Sequence, residues 1–255
     1  MVSLKKMALL TLGFAMLSTD GMAQTTRREY NDIINIHLTP GAPRRHNGCF
    51  TDMGSWMGFT LPEQAQPTTG FCGPYSIYYR HWYARSLVAL QGGTMQERSY
   101  CPGEVRMALT RDGATIQESL QFVDARTALL TIDNPSKRQL VFGADSVSRK
   151  MQLSVENGTV LIACHGGERV MLTFPEPVRV AKAGHNYVAT VPEGMAHLTA
   201  AISIVTQDTE ASVQQVHTAS LLANPEASLK ANEARWNGYL RKVIRPDMPA
   251  QYNRV

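Results

Sequence analysis

Cys164-His165-Gly166-Gly167-Glu168 places a thiol, an imidazole and a carboxylate in one short stretch, and looks reactive. It follows one strand pattern and precedes another, so it reads as a hairpin loop rather than a thiol site. The other histidines (His37, His46, His81, His185, His197, His217) are scattered, and neither H-E-x-x-H nor C-x-x-C occurs, so no metal is expected. G-x-S-x-G, G-x-x-x-x-G-K-[ST] and G-x-G-x-x-G are also missing, which removes the nucleophile elbow, the phosphate loop and the dinucleotide fingerprint. No cofactor is expected.

Hydrolysis of a glycosidic bond needs two carboxylates facing each other across a pocket. Asp112, Glu118, Asp124, Asp133, Glu156 and Glu168 fall in turns or on alternating strands and read as solvated. The stretch Phe50-Thr51-Asp52-Met53-Gly54-Ser55-Trp56-Met57-Gly58-Phe59-Thr60-Leu61-Pro62 differs, because an acid and an indole sit among glycines. Two readings fit it. Asp52 and Trp56 could grip a carbohydrate, the indole against ring carbons and the carboxylate accepting from hydroxyls. Alternatively, Trp56 plugs the core and Asp52 caps a turn. No catalytic residue is assigned.

The elements that must position these residues are mostly strands. Val105–Leu109 alternates, Arg111-Asp112-Gly113-Ala114 turns, and Thr115–Phe122 returns. Met151–Val155 and Thr159–Cys164 flank Asn157-Gly158, the strongest short-range hairpin signal. Further strands are expected at Arg169–Phe174, Val178–Ala181, Tyr187–Val191 and His197–Val205, and upstream at Ile33–Leu38, Trp56–Leu61 and Ile77–Leu90. With no helices alternating between them, a two-layer antiparallel architecture is preferred over a parallel α/β fold. After Thr206, Asp208-Thr209-Glu210 suits a helix start, with a first helix to Leu222. Asn224-Pro225-Glu226 then opens a second as N-cap, N1 proline and first-turn acid. Leu229, Trp236, Leu240 and Val243 lie at helical spacing, Arg241, Lys242 and Arg245 suit the C-terminal dipole, and Pro246 ends the helix. This narrow stripe is expected to be an interface whose partner is missing.

Lys5 and Lys6, an apolar run from Met7 to Leu17, and small residues at −3 and −1 in Gly21-Met22-Ala23 read as a signal peptide over 1–23. The apolar run is short of the roughly 20 residues of a bilayer span. The mature chain is expected to begin at Gln24, in the periplasm or secreted. The formal charge of +4 comes from the leader (+1) and residues 224–255 (+3), leaving the body neutral. No nucleic-acid or membrane partner is therefore expected. An oxidising compartment permits pairing among Cys49, Cys72, Cys101 and Cys164; Cys49 with Cys72 is favoured if any forms, and four reduced thiols fit equally well.

The Phe50–Pro62 stretch resembles the start of N-terminal domains in the bacterial branch of glycoside hydrolase family 63, through Phe50, Asp52, Gly54, Trp56, Gly58, Phe59, Leu61 and Pro62. Phe71-Cys72-Gly73-Pro74 resembles that domain's F-x-G-P loop, and Arg235-Trp236-Asn237-Gly238-Tyr239-Leu240 its R-W-x-x-Y-L linker helix. The resemblance implies a mainly β fold, a large antiparallel β-sandwich (super-sandwich) over 24–206, followed by C-terminal linker helices over 207–255. It also implies a catalytic (α/α)6 barrel that inverts α-glucosidic bonds with an Asp acid and a Glu base. The chain stops at Val255, so the barrel and both carboxylates are expected to be absent, whether by an early stop, a split gene or trimming.

Three functions compete: a non-catalytic domain supporting an α-glucosidase barrel, a free carbohydrate-binding module, and a hydrolase using other carboxylates. The implied partners are an α-glucosidic oligosaccharide and the barrel. A binding module needs coplanar exposed aromatics, and Tyr75, Tyr78, Tyr79, Trp82 and Tyr83 are the candidates. Strand alternation would put Tyr78 and Trp82 on one side and Tyr79 and Tyr83 on the other, one set in the core.

Overall fold

The alternating segments fold into two facing sheets in the computed structural model, which describes residues 36–41, 48–164, 167–206 and 210–242. The leader segment 1–23, the helix start at Asp208 and Thr209, and Val243, Arg245 and Pro246 lie outside the described residues. In chain order the strands are β1 (Met57–Thr60), β2 (Cys72–Ser76), β3 (His81–Trp82), β4 (Ala84–Leu90), β5 (Thr94–Cys101), β6 (Glu104–Arg111), β7 (Ala114–Phe122) and β8 (Thr127–Asp133). Then come β9 (Leu140–Val147), β10 (Gln152–Glu156), β11 (Thr159–Ala163), β12 (Arg169–Thr173), β13 (Arg179–Ala183), β14 (Asn186–Val191) and β15 (His197–Val205). Two helices follow, α1 (Ala211–Ala223) and α2 (Pro225–Lys242).

One sheet runs β10-β11-β12-β15-β8-β7-β6-β5, antiparallel throughout; the other runs β1-β2-β4-β9-β14-β13, with β3 beside β2. Tight turns set the registers. Asp112-Gly113 (φ 50° and 76°) joins β6 to β7, and Asn157-Gly158 (φ 49° and 76°) joins β10 to β11 with Glu156 opposite Thr159. Positive φ at both central residues is what the type I′ hairpin turn requires. Met107, Leu109, Ile116, Leu120 and Leu130 from the first sheet meet Phe59, Leu87, Leu90, Phe142 and Tyr187 from the second, none more than 1% exposed. Period-2 alternation put these side chains on the inner faces, and their burial is the main stabilising term.

The strands depart from the sequence reading in three places. Ile77–Leu90 is not one strand: Ile77–Arg80 is a turn, Arg80 has φ 55°, and β3 and β4 are separate. The strand pairing β2–β4 is parallel, within an otherwise antiparallel sandwich. Of Ile33–Leu38 only residues 36–38 are described; they make a parallel bridge from His37 to Leu61 rather than a strand. Of the two thiol readings, the one without a bridge holds: the Cys49–Cys72 pair is not formed, and none of the four cysteines is in a disulfide. Cys72 is buried on β2 and hydrogen-bonded to Thr39 and Thr60, and burial pushes its thiol up to about 12. Cys49 instead packs its sulfur against Gly58, where an added Cβ would come within 2.5 Å of it.

Helix α1 lies on the outer face of the larger sheet through polar groups. Gln214 Nε2 donates to Thr127 Oγ1 at 2.9 Å, and Ser203 and Thr218 hydroxyls meet at 3.2 Å. Glu210 stands at its start but makes no side-chain cap; Arg126 holds its carboxylate in two bonds of 2.7 and 3.0 Å. Asn224 closes α1, its N–H bonded to Leu221 O at 3.3 Å, and α2 starts at Pro225.

Candidate functional site

Asp52 sits in a reversal that its own side chain helps to form. Its Oδ1 accepts from Met53 N at 2.7 Å, its carbonyl accepts from Ser55 N at 3.0 Å, and Met53 and Gly54 both take positive φ. The other carboxylate oxygen faces α2, where it accepts from Trp236 Nε1 at 2.8 Å and from the Arg235 guanidinium. That side chain is only 10% exposed. Arg235 also donates to Asn232 Oδ1 at 2.6 Å, and its guanidinium lies 5.2 Å from the Trp236 ring and 5.6 Å from that of Tyr239.

Two more contacts seat the helix. Asn232, 4% exposed, donates to Gly103 O at 3.2 Å and Gln121 Oε1 at 2.9 Å. The Trp236 indole fills the space a Cβ on Gly103 would need, and Gly103 itself has φ 82°, so glycine serves both the turn and the close approach. The expectation of an orphaned stripe is thus corrected at Trp236. The sandwich itself covers α2 near Trp236, using a carboxylate, a glycine and a buried amide rather than an apolar groove.

Trp56 does not plug the core. Its side chain is 54% exposed, and its backbone carbonyl accepts from Ile77 N at 2.8 Å, which brings the turn at 77–80 beside it. The rings then follow in sequence: Trp56 to Tyr78 at 5.9 Å, Tyr78 to Tyr79 at 4.8 Å, Tyr79 to His81 at 6.0 Å and His81 to Tyr83 at 4.9 Å. Tyr78 and Tyr79 are both exposed, whereas Tyr75 and Trp82 form a separate pair at 4.9 Å. The expected split of Tyr78 and Trp82 from Tyr79 and Tyr83 fails because strand alternation does not pass through a turn. The exposed rings meet at 84° and 85°, edge to face, so they form a corrugated ridge rather than the coplanar platform a free binding module would present.

The inner end of this ridge is polar. Tyr83 is fully buried and its hydroxyl donates to Glu168 Oε1 at 2.7 Å, with Cys164 Sγ 3.7 Å away. Cys164 N bonds to Glu168 O at 3.1 Å, so the segment does close a hairpin between β11 and β12, as its sequence suggests. It is also a chemical cluster. One ligand-type atom each from His81, Cys164 and Glu168 lies within 4.8 Å of the others. Burial pushes the Cys164 thiol up and lowers His81, whose ring the Glu168 carboxylate pulls the other way. The Tyr83 hydroxyl is raised far above its ordinary value, by burial first and Glu168 second. His165 lies outside the described residues.

Two acids read as solvated are not. Glu168 is 0% exposed and Glu118 is 1% exposed. Neither lines either of two surface clefts: the cleft of about 280 Å³ beside β4 and β9 carries Asp145, and the groove of about 540 Å³ along β10 carries Glu156.

No family model matches the sequence, and no curated protein matches it. Among solved structures the chain is similar to a heparinase III with methylated lysines (14% identity, 49% of this chain and 24% of that one, TM-score 0.35). It is also similar to a mutant of heparan sulfate lyase HepC from Pedobacter heparinus (10% identity, 65% and 37%, TM-score 0.36). A third is a mutant glycoside hydrolase of family 81 from Clostridium thermocellum (9% identity, 72% and 28%, TM-score 0.36). The chain spans well under half the length of each of these proteins.

Proposed function

We propose that this chain is the non-catalytic sandwich and linker-helix unit of a family 63-like glycoside hydrolase, supporting a barrel that acts on α-glucosidic oligosaccharides in the periplasm or outside the cell. The observation that carries the reading is the Asp52–Arg235–Trp236 contact. Two of the three segments on which the resemblance rests stand 183 residues apart and meet in one bond network. A linker helix fixed to the sandwich by its arginine and indole is a rigid mount for whatever follows it. The unit needs no acid pair of its own in this reading.

The test has two arms. Purified mature chain should release no glucose from α-linked disaccharides; steady release abolished by one Asp or Glu substitution would overturn the non-catalytic assignment. A separately produced family 63 barrel lacking its own sandwich should gain thermal stability when this chain is added, and should not gain it from Asp52→Ala. No gain with the unaltered chain would overturn the supporting role.

The exposed ridge favours a second role in the same assembly. Trp56, Tyr78 and Tyr79 offer apolar ring faces and edges on a surface loop, the chemistry that grips a sugar ring. In this reading the ridge lends a saccharide contact, and Asp52 acts from beneath by fixing the loop that carries Trp56.

A further inference from the structure

Glu168 carries an unmet hydrogen-bonding demand. It is wholly buried; Tyr83 satisfies Oε1, but Oε2 has no hydrogen-bond partner among the described residues. A carboxylate oxygen taken out of water is costly unless something cationic or a donor meets it. Beside it, His81 Nε2 is likewise buried with no partner. The His81 ring does bond to the Tyr79 backbone, and with Nε2 bare that bond falls to Nδ1. A ring that donates from Nδ1 to a backbone carbonyl holds a lone pair on Nε2, the tautomer of a metal-bound histidine. The third group in reach is the Cys164 sulfur.

We propose that His81, Cys164 and Glu168 bind one zinc-class divalent cation through Nε2, Sγ and Oε2. The ligand types decide the metal. Thiolate and imidazole select zinc over calcium and magnesium, which take all-oxygen shells. Zinc bonds of about 2.0–2.3 Å put tetrahedral ligand atoms about 3.5 Å apart, so atoms already within 4.8 Å need to close by little more than about 1 Å. The charges balance: the dication meets one thiolate and one carboxylate, and the thiol proton leaves to solvent on binding. Tyr83 becomes the group that orients Glu168, and the backbone of Tyr79 the group that orients His81. Three protein ligands leave a fourth position for water, and half-buried His81 and Cys164 give the ion a way in. The inference is independent of the proposed glycosidase role.

The probe is zinc itself, added to chelator-stripped full-length mature protein, with cobalt as the coloured substitute. One equivalent should bind, calcium should not compete, and the cobalt form should show a thiolate-to-metal charge-transfer band. Cys164→Ser should lose that band while Cys49→Ser keeps it. Tyr83→Phe should weaken zinc binding by about 10–100-fold, the usual effect of removing an orienting partner. His81→Gln, at the accessible edge, should lose at least as much while the metal-free protein melts unchanged, and it stands in for Glu168→Gln if that variant does not fold. Absence of stoichiometric uptake, a band that survives Cys164→Ser, or undiminished affinity in folded His81→Gln would each overturn the site.

Discussion

At the scale of single residues, Glu118 is the group with the clearest consequence for solution behaviour. It belongs to the inward series of β7 between Ile116 and Leu120, and both carboxylate oxygens lack hydrogen-bond partners among the described residues. Burial pushes its carboxyl up to about 8, so the folded chain keeps it protonated at neutral pH. In the unfolded chain it ionises near its ordinary value of 4.5. A raised acid pKa means the unfolded state releases its proton first as pH rises. The contribution is therefore whole below about pH 4.5 and lost progressively up to about pH 8, an effect of roughly 3–5 kcal/mol. Urea unfolding at about pH 5 and pH 8 should show wild type losing stability relative to Glu118→Gln across that window; parallel profiles would mean the carboxyl is ionised when folded. Gly158 carries a simpler expectation. Nothing lies within 4 Å of a Cβ built there, so Gly158→Val pays only backbone strain at φ 76°, about 1–3 kcal/mol read as a lower melting temperature.

At the scale of elements, α2 shows where amphipathic reasoning succeeds and where it stops. The apolar spacing of Leu229, Trp236 and Leu240 and the proline at the start of the helix were legible in the sequence. The residue that seats it was not, because the one fully buried side chain of α2 is Asn232, which a hydrophobic stripe discards. Asn232→Ala should leave Gly103 O and Gln121 Oε1 without their donor and cost about 1–3 kcal/mol. Hydrogen exchange should then show residues 232–236 protected in wild type and released in the variant. The turn at 77–80 hid for a different reason. Ile77, Tyr78 and Tyr79 all favour strands, and Arg80 takes a left-handed φ without the glycine or asparagine that would announce it. The hairpins at Asp112-Gly113 and Asn157-Gly158 were legible because both carry that signal.

At the scale of the whole molecule, alternation revealed the two-layer sandwich, since inward faces such as Val105, Met107 and Leu109 follow from local periodicity. The polar cluster could not be read this way. His81 lies far in sequence from Cys164 and Glu168, on the other sheet, and no spacing rule joins them. The ridge makes its own prediction: Trp56→Ala with Tyr78→Ala should abolish quenching of protein fluorescence by α-linked gluco-oligosaccharides while the melting temperature stays within about 1 °C, because both side chains are mostly exposed. Quenching that persists in the double variant would count against the ridge as the proposed saccharide contact.

The clasp between Asp52 and Arg235 also has a kinetic meaning. Most pairings in the larger sheet join neighbours through short hairpins, whereas this contact closes a loop of 183 residues. Closing so long a loop is entropically slow, and it brings little reward until both sheets exist to position Asp52 and Gly103. The helix should therefore latch last on folding and unlatch first under denaturant, with exchange in α2 preceding that of β6 to β8. In a chain growing from its N-terminus, Asp52 stays hydrated until residue 235 arrives. The latch thus works as a checkpoint on chain completeness: a product cut short of Trp236 would keep both sheets but leave a bare carboxylate and an empty cradle at Gly103.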